Sequence, residues 1–287
     1  MKILILGANG NLGTQLTKVF GDDPENEVIA WDREQIDVTD QELVDKKVAD
    51  IKPELIINAV AYNAVDKCED DEDEYDLAKE LNIDVPRYLA KAALTNKAII
   101  IHYSSDYVFE GNGEGEYEED YETKSVNRYG KTKLMGERDV IRMSGMGLKW
   151  YLIRTSKLFG PKPENQDAKE NFFDIMLKLS EKKDELNVVD GERSCFTYAP
   201  DLAKATKELV ESEKGFGIYH LVNEGPATWY EGVKELFRLK NIETKVNPIA
   251  SEDLERPAKR PKSSVLKNTK LSPLRSWKEA LAEYVNL

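Results

Sequence analysis

The chain has 287 residues and carries 54 acidic against 41 basic side chains, a formal charge of −13. That balance repels nucleic acid and anionic membrane over most of the surface, so an anionic ligand must be held by a local site. The two cysteines, Cys68 and Cys195, and the two histidines, His102 and His220, offer neither a disulfide framework nor a metal-ligand spacing, and no metal is expected. Met1-Lys2 leads directly into apolar residues without a signal-peptide layout, and no apolar run approaches the roughly 20 residues of a membrane helix. A cytoplasmic protein is the expectation.

Residues Lys2–Leu6 read as a buried parallel strand running into Gly7-Ala8-Asn9-Gly10-Asn11-Leu12-Gly13, after which Leu16, Val19 and Phe20 repeat at helical spacing. Strand, glycine turn and helix together suit a pyrophosphate, because the turn brings backbone close without a Cβ and the helix N-terminus offers free N–H groups. The spacing is G-x-x-G-x-x-G, which by itself also serves to pack a helix on a strand. A second strand, Glu27–Trp31, ends at Asp32, where a dinucleotide site needs a carboxylate for the adenosine ribose. Arg33 follows, and a guanidinium pairs with the 2′-phosphate of NADP, so NADH and NADPH both stay open; a solvent-exposed loop arginine is the plainer alternative.

Thr39 or Asp40 is a natural cap for a helix over Gln41–Ile51. Residues 55–59 form the next strand, with Ala59 and Ala61 just past its C-terminal end, where ligands of open parallel sheets gather. The acidic run 69–74 reads as a solvated loop or helix start, and 77–94 as helix interrupted by Pro86. A fourth strand, 98–102, leads to Ser105.

Tyr129-Gly130-Lys131-Thr132-Lys133 places a phenol and an ammonium one helical turn apart at a helix start. A fixed positive charge favours the phenolate and brings proton transfer within reach, which is the chemistry of carbonyl reduction; Ser105 supplies a hydroxyl for the carbonyl oxygen. Tyr-x-x-x-Lys alone also describes a half-buried tyrosine beside a solvated lysine. Downstream come a strand at 149–153, a polar loop at 160–169 expected to act as a mobile flap, and a helix opened by Asn171 whose Ile175, Met176 and Leu179 read as core. A strand at 186–189, a helix at 201–210, a strand at 217–222, a capping box from Thr228 to Glu231 and a closing helix Trp277–Tyr284 complete the chain. His220 reads as a strand residue. Residues 256–266 are the dense basic stretch; it could contact nucleic acid, but its two prolines suit a rigid loop holding a nucleoside diphosphate.

The motifs G-A-N-G-N-L-G, N-A-V-A-Y-N-A-V-D-K-C-E, Y-S-S-D-Y-V-F-E-G, Y-G-K-T-K-L-M-G-E and R-T-S-K-L-F-G together resemble the dTDP-4-dehydrorhamnose reductase family of the extended short-chain dehydrogenase/reductase superfamily, over nearly the whole chain. The resemblance implies Ser105, Tyr129 and Lys133 as the catalytic triad, with Ser105 where the family usually has Thr. It further implies NADPH or NADH as cofactor, with the loop at Asp37 and Val38 beside the adenine and Thr155 on the nicotinamide side. A nucleotide-sugar substrate would meet Asp106 and Tyr107, and Arg193 and Arg260 would serve as phosphate partners; a surface position for Arg193 is the alternative. Asn82 would lie near the active-site strands or act as a helix-packing amide. Two departures bear on the sugar and the nucleotide: Lys157 stands where the family usually has a tryptophan, and Glu192, Ser194 and Phe196 replace Gln, Gly and Pro. Gln15 stands where family members that dimerise through a metal carry a glutamate.

The strand–helix alternation predicts an α/β fold: a doubly wound, mostly parallel Rossmann sheet, residues 1–155 forming the cofactor domain and 156–287 mainly a smaller substrate-binding lobe with elements returning to the sheet. The expected reaction is reduction of the 4-keto group of a nucleotide-linked 6-deoxyhexulose by a monomer or homodimer. A related sugar-nucleotide reductase or epimerase would share the catalytic residues. A regulatory subunit like that of methionine adenosyltransferase, which resembles the same family, has no need of all three.

Overall fold

The computed structural model describes residues 1–112, 115–163, 170–212 and 214–287; residues 164–169 of the expected flap lie outside it. In chain order the first half gives β1 (Lys2–Leu6), α1 (Asn11–Gly21), β2 (Glu27–Trp31), α2 (Gln41–Ile51), β3 (Leu55–Asn58), α3 (Val65–Asp70), α4 (Glu72–Lys79), α5 (Val85–Asn96), β4 (Ile99–Ser105), α6 (Arg128–Arg142) and β5 (Lys149–Thr155). The second half gives β6 (Leu158–Phe159), α7 (Phe172–Ser180), β7 (Glu185–Val189), β8 (Ser194–Cys195), β9 (Thr197–Tyr198), α8 (Ala199–Glu211) and β10 (Gly217–His220). It closes with β11 (Asn223–Glu224), β12 (Pro226–Ala227), α9 (Trp229–Lys240), β13 (Lys245–Ile249), β14 (Leu274–Ser276) and α10 (Trp277–Tyr284).

Six strands form one parallel sheet in the order β2-β1-β3-β4-β5-β10. The apolar residues of β1 and β3 are buried on both faces, as their continuous runs require. Leu12, Leu16 and Phe20 of α1 and Leu202 and Leu209 of α8 cover one face; Val44, Val48, Leu89, Ala93 and Val140 cover the other. The chain leaves β1 for β2 at the edge and returns to β3 on the other side of β1, which opens a crevice at the C-terminal ends of β1 and β3. A separate core of Phe159, Phe173, Phe196, Tyr198, Leu236 and Trp277 sits under the short strands of the second half, where β7 pairs with β13, β8 with β12, β6 with β9 and β11 with β14.

Local physics explains the departures from the sequence pattern. Helix α4 passes into α5 through a π-helical turn, Glu80–Asp84, and Pro86, which lacks an N–H, falls in the first turn of α5 just past it. Strand β4 extends to Ser105 because it pairs with β5 along its full length, and Ser105 lies opposite Thr155. Asp40 caps α2 by accepting from the Leu43 N–H. The acidic run is helical, with Asp71 capping α4, and no group of three or more metal-ligating side chains occurs among the described residues. Ile175 is 41% exposed: α7 is short, and its buried side is taken by Phe173, with Met176 and Leu179 packed only partly against the second core. No helix among the described residues is long and apolar enough to cross a membrane.

Candidate active site

Gly7 has φ +77°, and a Cβ there would lie 2.9 Å from the Ala59 carbonyl carbon; at Gly13 it would lie 2.0 Å from the Gly7 oxygen. Glycine at these positions lets the turn fold back against both β3 and α1. Gly10 precedes α1 and contributes no side-chain cap, so the N–H groups of the first turn stay free of protein side chains. The turn is tied to β2: Gly7 and Ala8 donate to the Trp31 carbonyl at 3.0 and 3.1 Å, and Asn9 donates to Asp32 Oδ2 at 2.9 Å. Asp32 Oδ1 accepts from the Arg33 N–H at 2.8 Å, while the Arg33 side chain is exposed. Asp37 accepts from the Thr39 N–H and hydroxyl, which hold its carboxyl below the usual carboxylate value; Val38 packs partly against the core. Ala59 donates to the Leu6 carbonyl at 3.0 Å, and Ala61 is exposed beyond it.

Two buried polar atoms on this side of the sheet have no partner: Asn11 Oδ1 at the start of α1 and Thr155 Oγ1 at the C-terminal end of β5. Glycines that a Cβ would displace, an uncapped helix N-terminus, a carboxylate fixed at the end of β2 and these orphaned oxygens fit a bound dinucleotide.

Helix α6 is brought onto the end of β4 by a close backbone contact. A Cβ at Gly130 would lie 2.2 Å from the Tyr107 carbonyl oxygen, and Asn127 fixes the helix start by accepting from the Gly130 N–H at 2.8 Å and donating to the Lys259 carbonyl at 2.8 Å. Deeper in, Glu137 of α6 accepts two bonds from the Arg154 guanidinium of β5, at 2.9 and 2.8 Å, both residues being buried. Asn82 in the π turn clamps the Tyr62 backbone through its N–H and carbonyl and donates to Thr132 Oγ1, each at 3.0 Å. It is the packing amide that links the segment after β3 to α6.

This framework places Tyr129 beside Ser105. The Tyr129 ring meets Tyr107 edge-on at 5.7 Å. Burial pushes its phenol well above the ordinary tyrosine value, the Ser105 hydroxyl acts the other way, and Asp106 adds to the rise. Lys133 is buried one turn further along and donates to the Tyr103 carbonyl of β4 at 2.7 Å; burial pulls its ammonium down to about 8. In this arrangement the charge acting on the phenol is that of Asp106, which raises it.

Ser105 Oγ donates to Asp106 Oδ1 at 2.9 Å and accepts from the Tyr107 N–H at 3.2 Å. Ser264 donates to Asp106 Oδ2 at 2.6 Å. Arg260 grips both oxygens of Asp66 on α3 and donates to the Ala258 carbonyl at 2.7 Å, close enough to Tyr107 for each to influence the other. Arg193 is half exposed, donates to the Pro226 carbonyl at 3.2 Å and lies 3.6 Å from Glu231. Sequence reading assigned no role to Ser264 or Asp66, although Asp66 falls within a motif that carries the family resemblance and Ser264 within the basic stretch.

Lys157 adopts φ +39° and donates to the Glu192 and Ala227 carbonyls at 3.2 and 2.8 Å, with its ammonium 4.5 Å from the Trp229 ring centre and 5.0 Å from that of Phe196. The charge introduced here thus lies over two aromatic faces. Burial lowers it to about 8, with Asp106 and Glu192 acting in the opposite sense. Between about pH 8 and the unfolded value of 10.5 the unfolded chain binds a proton at Lys157 that the folded chain has lost, so stability gains with rising pH in that window. Lys157→Met carries no such titration. Urea unfolding should show the wild type gaining on this variant as pH rises from 8 to 10.5, and a constant difference across the window would contradict it.

Among solved structures, a dTDP-4-dehydrorhamnose reductase from Clostridium acetobutylicum superposes with a TM-score of 0.91 at 39% identity, covering 100% of this chain and 99% of that one. The dTDP-4-dehydrorhamnose reductase of Bacillus anthracis in complex with NADP gives 0.90 at 30% identity, over 99% and 98%. The Streptomyces griseus dTDP-4-dehydrorhamnose reductase is 36% identical over 290 residues, 98% of this chain and 91% of the relative. The family model described as the RmlD substrate binding domain matches residues 1–287, and the chain belongs to that family.

Proposed function

We propose that this protein is a reductase that uses NADPH or NADH to reduce the 4-keto group of a nucleotide-linked 6-deoxyhexulose, as in the conversion of dTDP-4-dehydrorhamnose to dTDP-L-rhamnose. The observation that carries the reading is the meeting of Tyr129 and Ser105 at the end of β4, with Lys133 one turn behind, in a sheet whose β1 runs into a glycine turn. The activities named for the Clostridium acetobutylicum and Streptomyces griseus relatives support it, as does the NADP bound by the Bacillus anthracis protein.

Within this reading residues 1–155 hold the cofactor. The turn Gly7, Asn9, Gly10, Asn11, Leu12 and Gly13 would take the pyrophosphate, Asp32 and Arg33 the adenosine ribose, and Asp37 and Val38 the adenine. Ala59, Ala61 and Thr155 would line the path to the nicotinamide, and the N–H bonds of Lys133 beyond the one on Tyr103 are available to its ribose. When bound, the reduced nicotinamide supplies the hydride. Tyr129 gives its proton to the carbonyl oxygen as the alkoxide forms; its raised phenol keeps that proton at neutral pH until an acceptor arrives. Ser105 orients the phenol beside the carbonyl. Asp106, Tyr107 and Lys157 would border the sugar, and Arg193 and Arg260 the diphosphate, between the cofactor domain and the lobe of residues 156–287.

A cytoplasmic location, as a monomer or homodimer, suits an enzyme whose substrate and cofactor are both nucleotides. The test is oxidation of NADPH or NADH by the pure protein, followed by absorbance, with dTDP-4-dehydrorhamnose generated in the cuvette and dTDP-glucose as the blank. Oxidation with the keto sugar alone is the expected result. Tight cofactor binding without oxidation would overturn it.

A further inference from the structure

Ser105 has one hydroxyl proton, and an ionised carboxylate only accepts. In the structure that proton goes to Asp106 Oδ1, and the Ser264 proton goes to Asp106 Oδ2. Asp106 and Ser264 are buried, at 3% exposure each, so neither bond is exchanged for one to bulk water. With its proton directed at Asp106, Ser105 Oγ keeps its lone pairs for donors, of which the Tyr107 N–H is one, beside the Tyr129 phenol. Ser264 is itself fixed: its N–H donates to the Arg193 carbonyl at 2.9 Å, the Arg193 N–H donates to the Lys262 carbonyl at 2.8 Å, and the Ser263 N–H donates to the Gly111 carbonyl at 3.1 Å.

We propose that Ser264 is a positioning residue which, through Asp106, sets the rotamer and proton direction of Ser105, so that the basic loop of residues 256–266 and the catalytic hydroxyl are ordered together. The inference rests on the reading of Ser105 and Tyr129 as reductase groups. It adds a function for the loop: a ligand that moves residues 256–266 also moves the hydroxyl beside the phenol. The groups around Asp106 are Ser105 on β4, Ser156 and Lys157 after β5, Ser264, the phenols of Tyr107 and Tyr129, and the Cys195 thiol on β8. Burial raises the Asp106 carboxyl, while Ser264, Ser156, Ser105 and the Lys157 charge favour its ionised form. Removing the Ser264 bond therefore raises it further.

The test compares full-length wild type, Ser264→Ala, Ser264→Thr and Asp106→Asn by turnover across pH and by NMR titration of isotope-labelled aspartate carboxyls, with Asp106→Asn identifying the Asp106 resonance. For Ser264→Ala, kcat should fall about ten-fold while KM for the sugar nucleotide stays within about two-fold. The acid limb of the rate profile and the Asp106 titration should both move to higher pH, and Ser264→Thr should restore them. Asp106→Asn should lose turnover in the same way, which keeps the proposal open to refutation if Ser264→Ala misfolds. An unchanged kcat and an unmoved Asp106 titration in Ser264→Ala would overturn the relay. So would a rise in KM at constant kcat, which would make Ser264 a substrate contact. Absence of wild-type turnover refutes the reductase reading by itself, and the Asp106 titration then still decides the hydrogen-bond relay.

Discussion

Tyr129→Phe should bind cofactor as the wild type does and lose turnover by roughly 100- to 10,000-fold, the range over which a positioned proton donor acts. The substitution deletes one oxygen. The ring keeps its edge-on contact with Tyr107, and the start of α6 is held by Asn127 and Gly130, neither of which depends on the phenol. What disappears is a hydroxyl whose proton is retained well above neutral pH by burial and delivered only to a group that reaches it. Because that delivery belongs to the transition state, kcat and kcat/KM should fall together while KM changes little. Cofactor fluorescence titration beside steady-state turnover checks both halves. Wild-type turnover in Tyr129→Phe would remove the phenol from the chemistry, and equal losses in cofactor affinity and turnover would mark Tyr129 as a cofactor support.

Features written within a few residues of one another were readable before any coordinates. The strand–glycine turn–helix at the N-terminus, a cap at Thr39 or Asp40, the capping box at Thr228 and the one-turn spacing of Tyr129 and Lys133 are all local, and backbone geometry leaves few alternatives to them. Contacts that cross the chain were not readable. Ser264 and Asp106 are 158 positions apart and Arg260 and Asp66 are 194 apart, so no periodicity or spacing joins them. The bond made by the Lys133 ammonium also crosses the chain. Helical spacing puts the ammonium on the face of Tyr129, and it donates to the Tyr103 carbonyl of β4, 30 positions away. Ile175 was assigned to the core by period alone, whereas the one-sided packing of a nine-residue helix leaves it exposed. Lys157 shows the converse case: a charge that reads from sequence as the loss of an apolar platform is spread over Trp229 and Phe196 and anchored by two carbonyls.

Gly13→Ala should cost both fold stability and cofactor binding, and Gly10→Ala separates the two. The added methyl at Gly13 would stand 2.0 Å from the Gly7 oxygen and 2.8 Å from the Ala8 Cα, both backbone atoms of the same tight turn. They cannot yield as a flexible side chain would, so α1 must shift away from β1, at a cost of about 3 kcal/mol in the manner of an overpacked core. The same shift carries the first-turn N–H groups away from the crevice at the end of β1, and cofactor affinity should fall by about 100-fold, equivalent to roughly 2.7 kcal/mol. At Gly10 the backbone lies at φ −76° and ψ 168°, open to any residue, and the nearest atom to an added methyl is the Gly7 oxygen at 3.3 Å. Gly10→Ala should therefore unfold within about 1 kcal/mol of the wild type. A loss of cofactor affinity in that variant then reports contact between the methyl and the ligand, with the turn intact. Urea unfolding and cofactor titration of the two variants side by side make the comparison. Wild-type stability in Gly13→Ala would mean that the turn is not held by the contact between Gly7 and Gly13.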